Sequence, residues 1–270
     1  MTRIPYAEMH AFSDGTAPFT GNPAGVCILT DFPDDDVLVG IASSNNLSET
    51  AFLVAQGDDN WHLRWFTPTV EVALCGHATF ASGAYLFEKS MVLGDRAVFS
   101  TQSGELTVSK TSADRFTMDL PKIPYSPSRP NPIVVEALGA GEPLETVDVN
   151  RIHGAEYQMM VFSDELTISN MRPDQSLLKS AFTNVIVTAP GRKVDFVSRF
   201  FAPASGVDED PVTGSAHCTL APYWSNKLER PRLTARQIGP RPGALDVEPV
   251  GDRVILSGRA TCYLEGEIRL

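Results

Sequence analysis

The chain has 270 residues, 43% hydrophobic and 20% charged, enough to bury an ample core without disulfides or a structural metal. Its 22 basic and 33 acidic residues leave a net charge of −11, a field that repels phosphate backbones and anionic lipid and argues against nucleic-acid and membrane partners. No apolar run nears the ~18 residues of a spanning helix, the opening Met1–Glu8 lacks a signal peptide's apolar stretch, and Cys27, Cys75, Cys218 and Cys262 form no C-x-x-C pair. A soluble, cytoplasmic globular protein is expected.

In chain order, strands are predicted over Tyr6–Phe12, Val26–Leu29, Thr50–Ala55, His62–Phe66, Val98–Ser100, Glu105–Ser109 and Arg115–Asp119, many of them separated by Gly, Pro, Asn or Asp. Pro33-Asp34-Asp35-Asp36 opens a helix reaching Ser44, with its acids at the positive end of the dipole and Val37, Leu38, Ile41 and Ala42 on one face. A second helix is predicted from Gly76 to Glu88. Five prolines crowd Leu120–Pro132 and predict a linker near the middle of the chain. Asn131 then caps a short helix with Pro132 at its first position and Gly139 at its end.

The second half repeats the first weakly. Arg64-Trp65-Phe66-Thr67-Pro68 resembles Arg199-Phe200-Phe201-Ala202-Pro203 at half-chain offset, and each is followed by a loop, a glycine and a small-residue run entering a helix. The second such helix is predicted from Gly214 to Leu228. Small residues there suit a helix closely wrapped by sheet. Each start leaves N–H donors and the positive dipole end available, so two of them facing one cleft would hold a small carboxylate. Read alone, each start serves equally well as a capped, buried helix.

Three side chains stand near these starts. His77 lies in the first turn, where the dipole favours neutral imidazole. Asp210 precedes the later helix, although its Asp-Pro step also reads as turn chemistry. Glu49 stands between a polar turn and an apolar strand. It is either a solvated strand edge or a pocketed carboxylate able to move protons near neutral pH.

Taken together and in this order, Gly21-Asn22-Pro23-Ala24-Gly25-Val26, Asn46–Phe52, Phe66-Thr67-Pro68 with Cys75–Thr79, and Glu209–Ala216 resemble the PhzF family of phenazine-biosynthesis-type isomerases along nearly the whole chain. The resemblance implies an α+β, diaminopimelate-epimerase-like fold: two pseudo-symmetric domains, each a mostly antiparallel sheet rolled around a central helix, with the active site between them. It implies a cofactor-independent proton-transfer isomerase acting on a small carboxylate-bearing metabolite, and a homodimer. Carried over by position, Glu49 is the acid/base, His77 and Asp210 are its polar partners, and Gly76, Gly214 and Ser215 are the helix-start groups that hold substrate. The halves are expected over residues 1–126 and 127–270, with the last strand, Thr261–Leu270, returning to the first.

Other chemistries fit less well. In a two-thiol racemase Cys75 would need a partner, but the repeat sets Thr213 opposite it. A Cys75–His77 hydrolase suffers because residues i and i+2 at a helix start are expected to point apart. No metal site is expected: His217 and Cys218 are adjacent, and His10, His62 and His153 are scattered. Gly139-Ala140-Gly141 does not continue into a nucleotide loop. A non-enzymatic anion-binding module stays open, and it would not need Glu49 or Asp210.

Overall fold

The computed structural model describes residues 2–15, 17–152 and 155–270; His153 falls outside them. Contacts divide the chain into two compact units, Met1–Leu120 with Leu256–Leu270, and Pro121–Ile255. The division lies at the start of the proline-rich stretch.

The first unit contains β1 (Arg3–Ser13), β2 (Asn22–Leu29), α1 (Asp35–Asn45), β3 (Thr50–Gly57), β4 (Asn60–Phe66), β5 (Glu71–Val72), α2 (Gly76–Glu88), β6 (Arg96–Thr101), β7 (Gly104–Lys110) and β8 (Phe116–Pro121). Antiparallel pairs join β1 to β2, β3 to β4, β4 to β5, β6 to β7 and β7 to β8. Parallel pairs join β2 to β3 and β4 to β6. A parallel pair needs a crossover. α1 supplies one and α2 the other.

The second unit contains β9 (Tyr125–Pro127), α3 (Pro132–Leu138), β10 (Glu145–Ile152), β11 (Ala155–Val161), α4 (Glu165–Asn170), α5 (Gln175–Ser180), β12 (Thr183–Pro190), β13 (Phe196–Ala202), a 3-10 turn (Pro203–Ser205), β14 (Val207–Asp210), α6 (Gly214–Leu228), β15 (Leu233–Gln237) and β16 (Gly243–Val250). The same order of pairings recurs: β10–β11, β12–β13, β13–β14 and β15–β16 antiparallel, β11–β12 and β13–β15 parallel. The last strand, β17 (Arg253–Arg269), pairs with β1 from Arg3↔Arg269 to Ser13↔Arg259. Sheet dominates both units, and antiparallel pairs outnumber parallel ones.

In the first unit α2 is the enclosed helix, buried from His77 through Phe87. A side chain at Gly83 would meet Val108 of β7 at 2.5 Å, so the sheet closes on the helix at a distance only glycine permits. Phe80 stacks on Phe12 of β1 at 4.2 Å. In the second unit α6 is buried at Gly214 and from Ala216 to Trp224, despite an interior proline. Pro222 lacks the N–H that would meet the Cys218 carbonyl, and Ile123 N–H takes that acceptor at 3.2 Å.

α3 matches its sequence signals: Asn131 accepts from Ile133 N–H and Gly139 ends it left-handed. The linker needs correction, since β9 lies within it and pairs with β10 (Val147↔Pro127, Val149↔Tyr125). Prolines only bound this short strand, Pro124 before it and Pro127 at its end, where a missing ladder donor is tolerated.

Candidate active site

Glu49 is set by the turn that leaves α1. Asn46 ends that helix at φ 51°, left-handed, and the chain bends through Leu47 and Ser48 to Glu49 at the head of β3. The backbone there is pinned to β2, because Gly25 N–H donates to the Glu49 carbonyl at 3.1 Å. Gly25 has to be glycine: a side chain would meet the Thr50 hydroxyl at 2.9 Å and the Tyr6 ring at 3.2 Å. Asn45 in turn donates its side-chain amide to that hydroxyl at 3.1 Å. The Gly-Asn-Pro-Ala-Gly string thus shapes the cradle from which Glu49 projects.

The same unit brings the α2 start to Glu49. His77 Nε2 lies 3.4 Å from Glu49 Oε2 and 3.4 Å from the Ser48 hydroxyl. His77 Nδ1 lies 3.5 Å from Cys75 Sγ. Glu49 Oε2 is buried and, among the described residues, makes no hydrogen bond. The Glu49 side chain as a whole stays 19% exposed against 8% for His77, so the carboxylate is screened but reachable. α2 has no side-chain cap and no acid in its first turn, leaving its leading N–H groups, Gly76 among them, to another acceptor.

The expectation that Cys75 and His77 point apart is wrong. Cys75 is the N-cap residue and extended (φ −143°, ψ 110°), not helical, so its side chain turns back toward the imidazole. A third group, Glu49, stands at the other ring nitrogen. Among the described residues, Glu49, Cys75 and His77 are also the group whose ligand atoms, all within 4.8 Å of one another, could hold a metal.

In the second unit Asp210 ends β14 opposite Phe200, four residues before the helix starts at Gly214. The Thr213 hydroxyl donates to Asp210 Oδ2. Gln237, on β15, donates to the Asp210 carbonyl at 2.6 Å and to the Thr213 hydroxyl at 3.2 Å, and accepts from Thr213 N–H at 2.9 Å. His217 Nδ1 donates to the Thr213 carbonyl at 2.7 Å, and full burial pulls this histidine down to about 4. α6 starts at Gly214 and Ser215, again without a side-chain cap or an acid in its first turn. Cys218, inside it, is buried and its thiol is pushed up to about 12, an inert packing role.

The two helix starts have matching anchors in the residues that carried the repeat. Arg64 grips Glu71 with two bonds of 2.8 Å. Arg199 grips Glu209 with bonds of 2.7 and 2.8 Å and also donates to the Ile168 and Met171 carbonyls. Each pair ties the strand before a helix start to the sheet. Ser48, Thr213 and Gln237 were not singled out as site residues from sequence. Ser48 lies beside Glu49 in the quoted string, Thr213 is the repeat mate of Cys75, and Gln237 carries no local signal.

Residues 9–266 match the family of phenazine biosynthesis-like proteins, PhzC-PhzF. An uncharacterised isomerase of Pseudomonas aeruginosa is 45% identical, covering 97% of this chain and 98% of its own. A PhzF-family crystal structure from Enterococcus faecalis superposes with a TM-score of 0.89 at 40% identity over 100% of both chains. A hydroxyproline epimerase from Agrobacterium vitis shares the fold, with a TM-score of 0.65 at 14% identity, covering 99% of this chain and 91% of its own.

Proposed function

The chain belongs to the PhzC-PhzF family of phenazine biosynthesis-like proteins, and from that premise we propose that Glu49 moves the proton in an isomerisation of a small carboxylate-bearing metabolite. The enzyme is an isomerase of the PhzF-like kind, with an epimerase-like fold. Its chemistry is the cofactor-independent proton transfer of that kind. Glu49 takes a proton from an acidified carbon and returns it at another position on the same face. His77 and Asp210 orient the substrate and polarise its conjugated end. The N–H groups at Gly76, Gly214 and Ser215 are the carboxylate-binding donors of this reading.

The observation that carries this reading is the Glu49 carboxylate: one buried oxygen without a hydrogen bond, 3.4 Å from an imidazole, beside an uncapped helix start. A solvated strand edge would have none of these features. A passive anion-binding module would gain nothing from a carboxylate there, since like charges repel. A homodimer and a cytoplasmic location belong to the same proposal. The family resemblance supports the first, and four cysteines that form no disulfide, as a reducing compartment leaves them, support the second.

The test is a panel of small carboxylates bearing an acidified C–H or a conjugated double bond, incubated with the enzyme in deuterated water and followed by proton NMR. Deuterium gain at one carbon with a shifted double bond or inverted centre supports the reading. Tight binding across the panel without any exchange would favour the anion-binding module.

A further inference from the structure

Glu49, Cys75 and His77 offer a carboxylate oxygen, a thiol sulfur and an imidazole nitrogen within 4.8 Å of one another. All three come from the first unit, two from the α2 start and one from the head of β3. We propose that these side chains form a binding site for one thiophilic divalent cation of the zinc type, and that this ion excludes the proton-transfer chemistry.

The donor set selects the ion. Hard cations such as magnesium and calcium seek oxygen ligands only, whereas zinc takes sulfur, nitrogen and carboxylate oxygen together. Zinc bonds of about 2.3 Å to sulfur and about 2.0 Å to nitrogen or oxygen set tetrahedral edges of roughly 3.5 Å for S–N and roughly 3.3 Å for N–O. The observed separations are 3.5 Å from Cys75 Sγ to His77 Nδ1 and 3.4 Å from His77 Nε2 to Glu49 Oε2. Whichever nitrogen binds, one edge already has its length. With Nδ1 as the ligand the edge to sulfur is in place, and rotation of Glu49, the most exposed of the three, supplies the carboxylate; with Nε2 it is Cys75 that must turn.

A second, independent feature points to a cation. Glu49 Oε2 is buried and receives no hydrogen bond among the described residues, an arrangement that costs free energy until something positive approaches. Thiolate and carboxylate together match the double charge of the ion. Three protein ligands leave a fourth position for water, the pattern of an open site. Only the inhibitory consequence rests on the function proposed above: an ion on Oε2 occupies the atom that would carry the proton.

The experiment uses the full chain stripped with chelator and titrated with cobalt(II), whose spectrum reports its ligands. One equivalent should bind, giving tetrahedral visible bands and a near-ultraviolet thiolate-to-cobalt band, both bleached by zinc. Cys75→Ala should lose the thiolate band. In competition with a chromophoric chelator, Cys75→Ala and Glu49→Gln should each bind zinc at least tenfold more weakly, while Cys262→Ser keeps both band and affinity. Circular dichroism checks that each variant is folded. No band in the folded wild type, a band that survives Cys75→Ala, or one that vanishes in Cys262→Ser would overturn the site. Zinc that binds at these residues yet leaves turnover untouched would keep the site and overturn the role of Glu49.

Discussion

Thr213 occupies the repeat position of Cys75, and its hydroxyl both donates to Asp210 and accepts from Gln237. Thr213→Val keeps the shape and removes both bonds. If Asp210 polarises substrate, kcat should fall about tenfold, the worth of ~1.4 kcal/mol, while the melting temperature moves by only a few degrees. Thr213→Ser should restore the rate. An unchanged kcat would reduce the network to scaffolding. One turn further in, His217 sets a pH dependence. It titrates at about 4 in the fold against 6.5 unfolded, because burial disfavours its charged form. Between those values the unfolded chain holds the proton and the folded chain does not. Stability from this group is therefore full above pH 6.5 and is lost as pH falls toward 4, by about 3 kcal/mol in all. Urea unfolding at pH 7 and pH 4.5 should show a smaller acid loss in His217→Asn than in wild type. Equal losses would contradict the assignment.

Elements carry the next set of constraints. Gly83 admits the β7 strand so closely that Gly83→Ala drives a methyl into Val108, and the overpacking cost of about 1–3 kcal/mol exceeds the ~1 kcal/mol gain in helix propensity. Chemical denaturation of Gly83→Ala, Val108→Ala and the double variant should show strong coupling, with the second change relieving the first. Purely additive losses would mean the helix shifts to make room. The Arg199–Glu209 pair offers a sharper contrast. Both partners are nearly buried, at 6% and 14% exposure, so Arg199→Met should cost about 3–5 kcal/mol by stranding a charge. Arg64→Met should cost less, because the 68%-exposed Asp35 shares its guanidinium with Glu71. Equal melting shifts would refute that ranking. At this scale the sequence was informative where a local signal exists. Gly76, Gly214 and Asn131 announce their helices through small-residue runs and a cap. β9 stayed hidden because proline density outweighs three strand residues, and its pairing with β10 is a long-range event.

Over the whole molecule, what the sequence disclosed was the duplication. Two five-residue strings at half-chain offset, identical at three positions, expand in the structure into two units with the same order of strand pairings and the same arginine–carboxylate anchor before each central helix. The chemistry was legible only in part. Glu49, His77 and Asp210 could be named from their motifs, and the fold brings Glu49 and His77 together. The approach of Cys75 to His77 could not be named, because it depends on an extended N-cap backbone that spacing rules treat as helical. Nor could Gln237, which reaches Asp210 from a strand 27 residues away.

That cluster of carboxylate, imidazole and thiol leaves one question above the rest: which atom carries the proton. Solvent-deuterium incorporation into a turned-over carboxylate, measured at saturation for wild type, Glu49→Gln and Cys75→Ala, answers it. Proton transfer through Glu49 predicts a loss of at least ~100-fold in Glu49→Gln, which keeps the shape but not the transferable proton, with Cys75→Ala remaining far more active than that variant. Exchange that persists in Glu49→Gln and disappears in Cys75→Ala would mean that sulfur carries the proton, and would contradict the account.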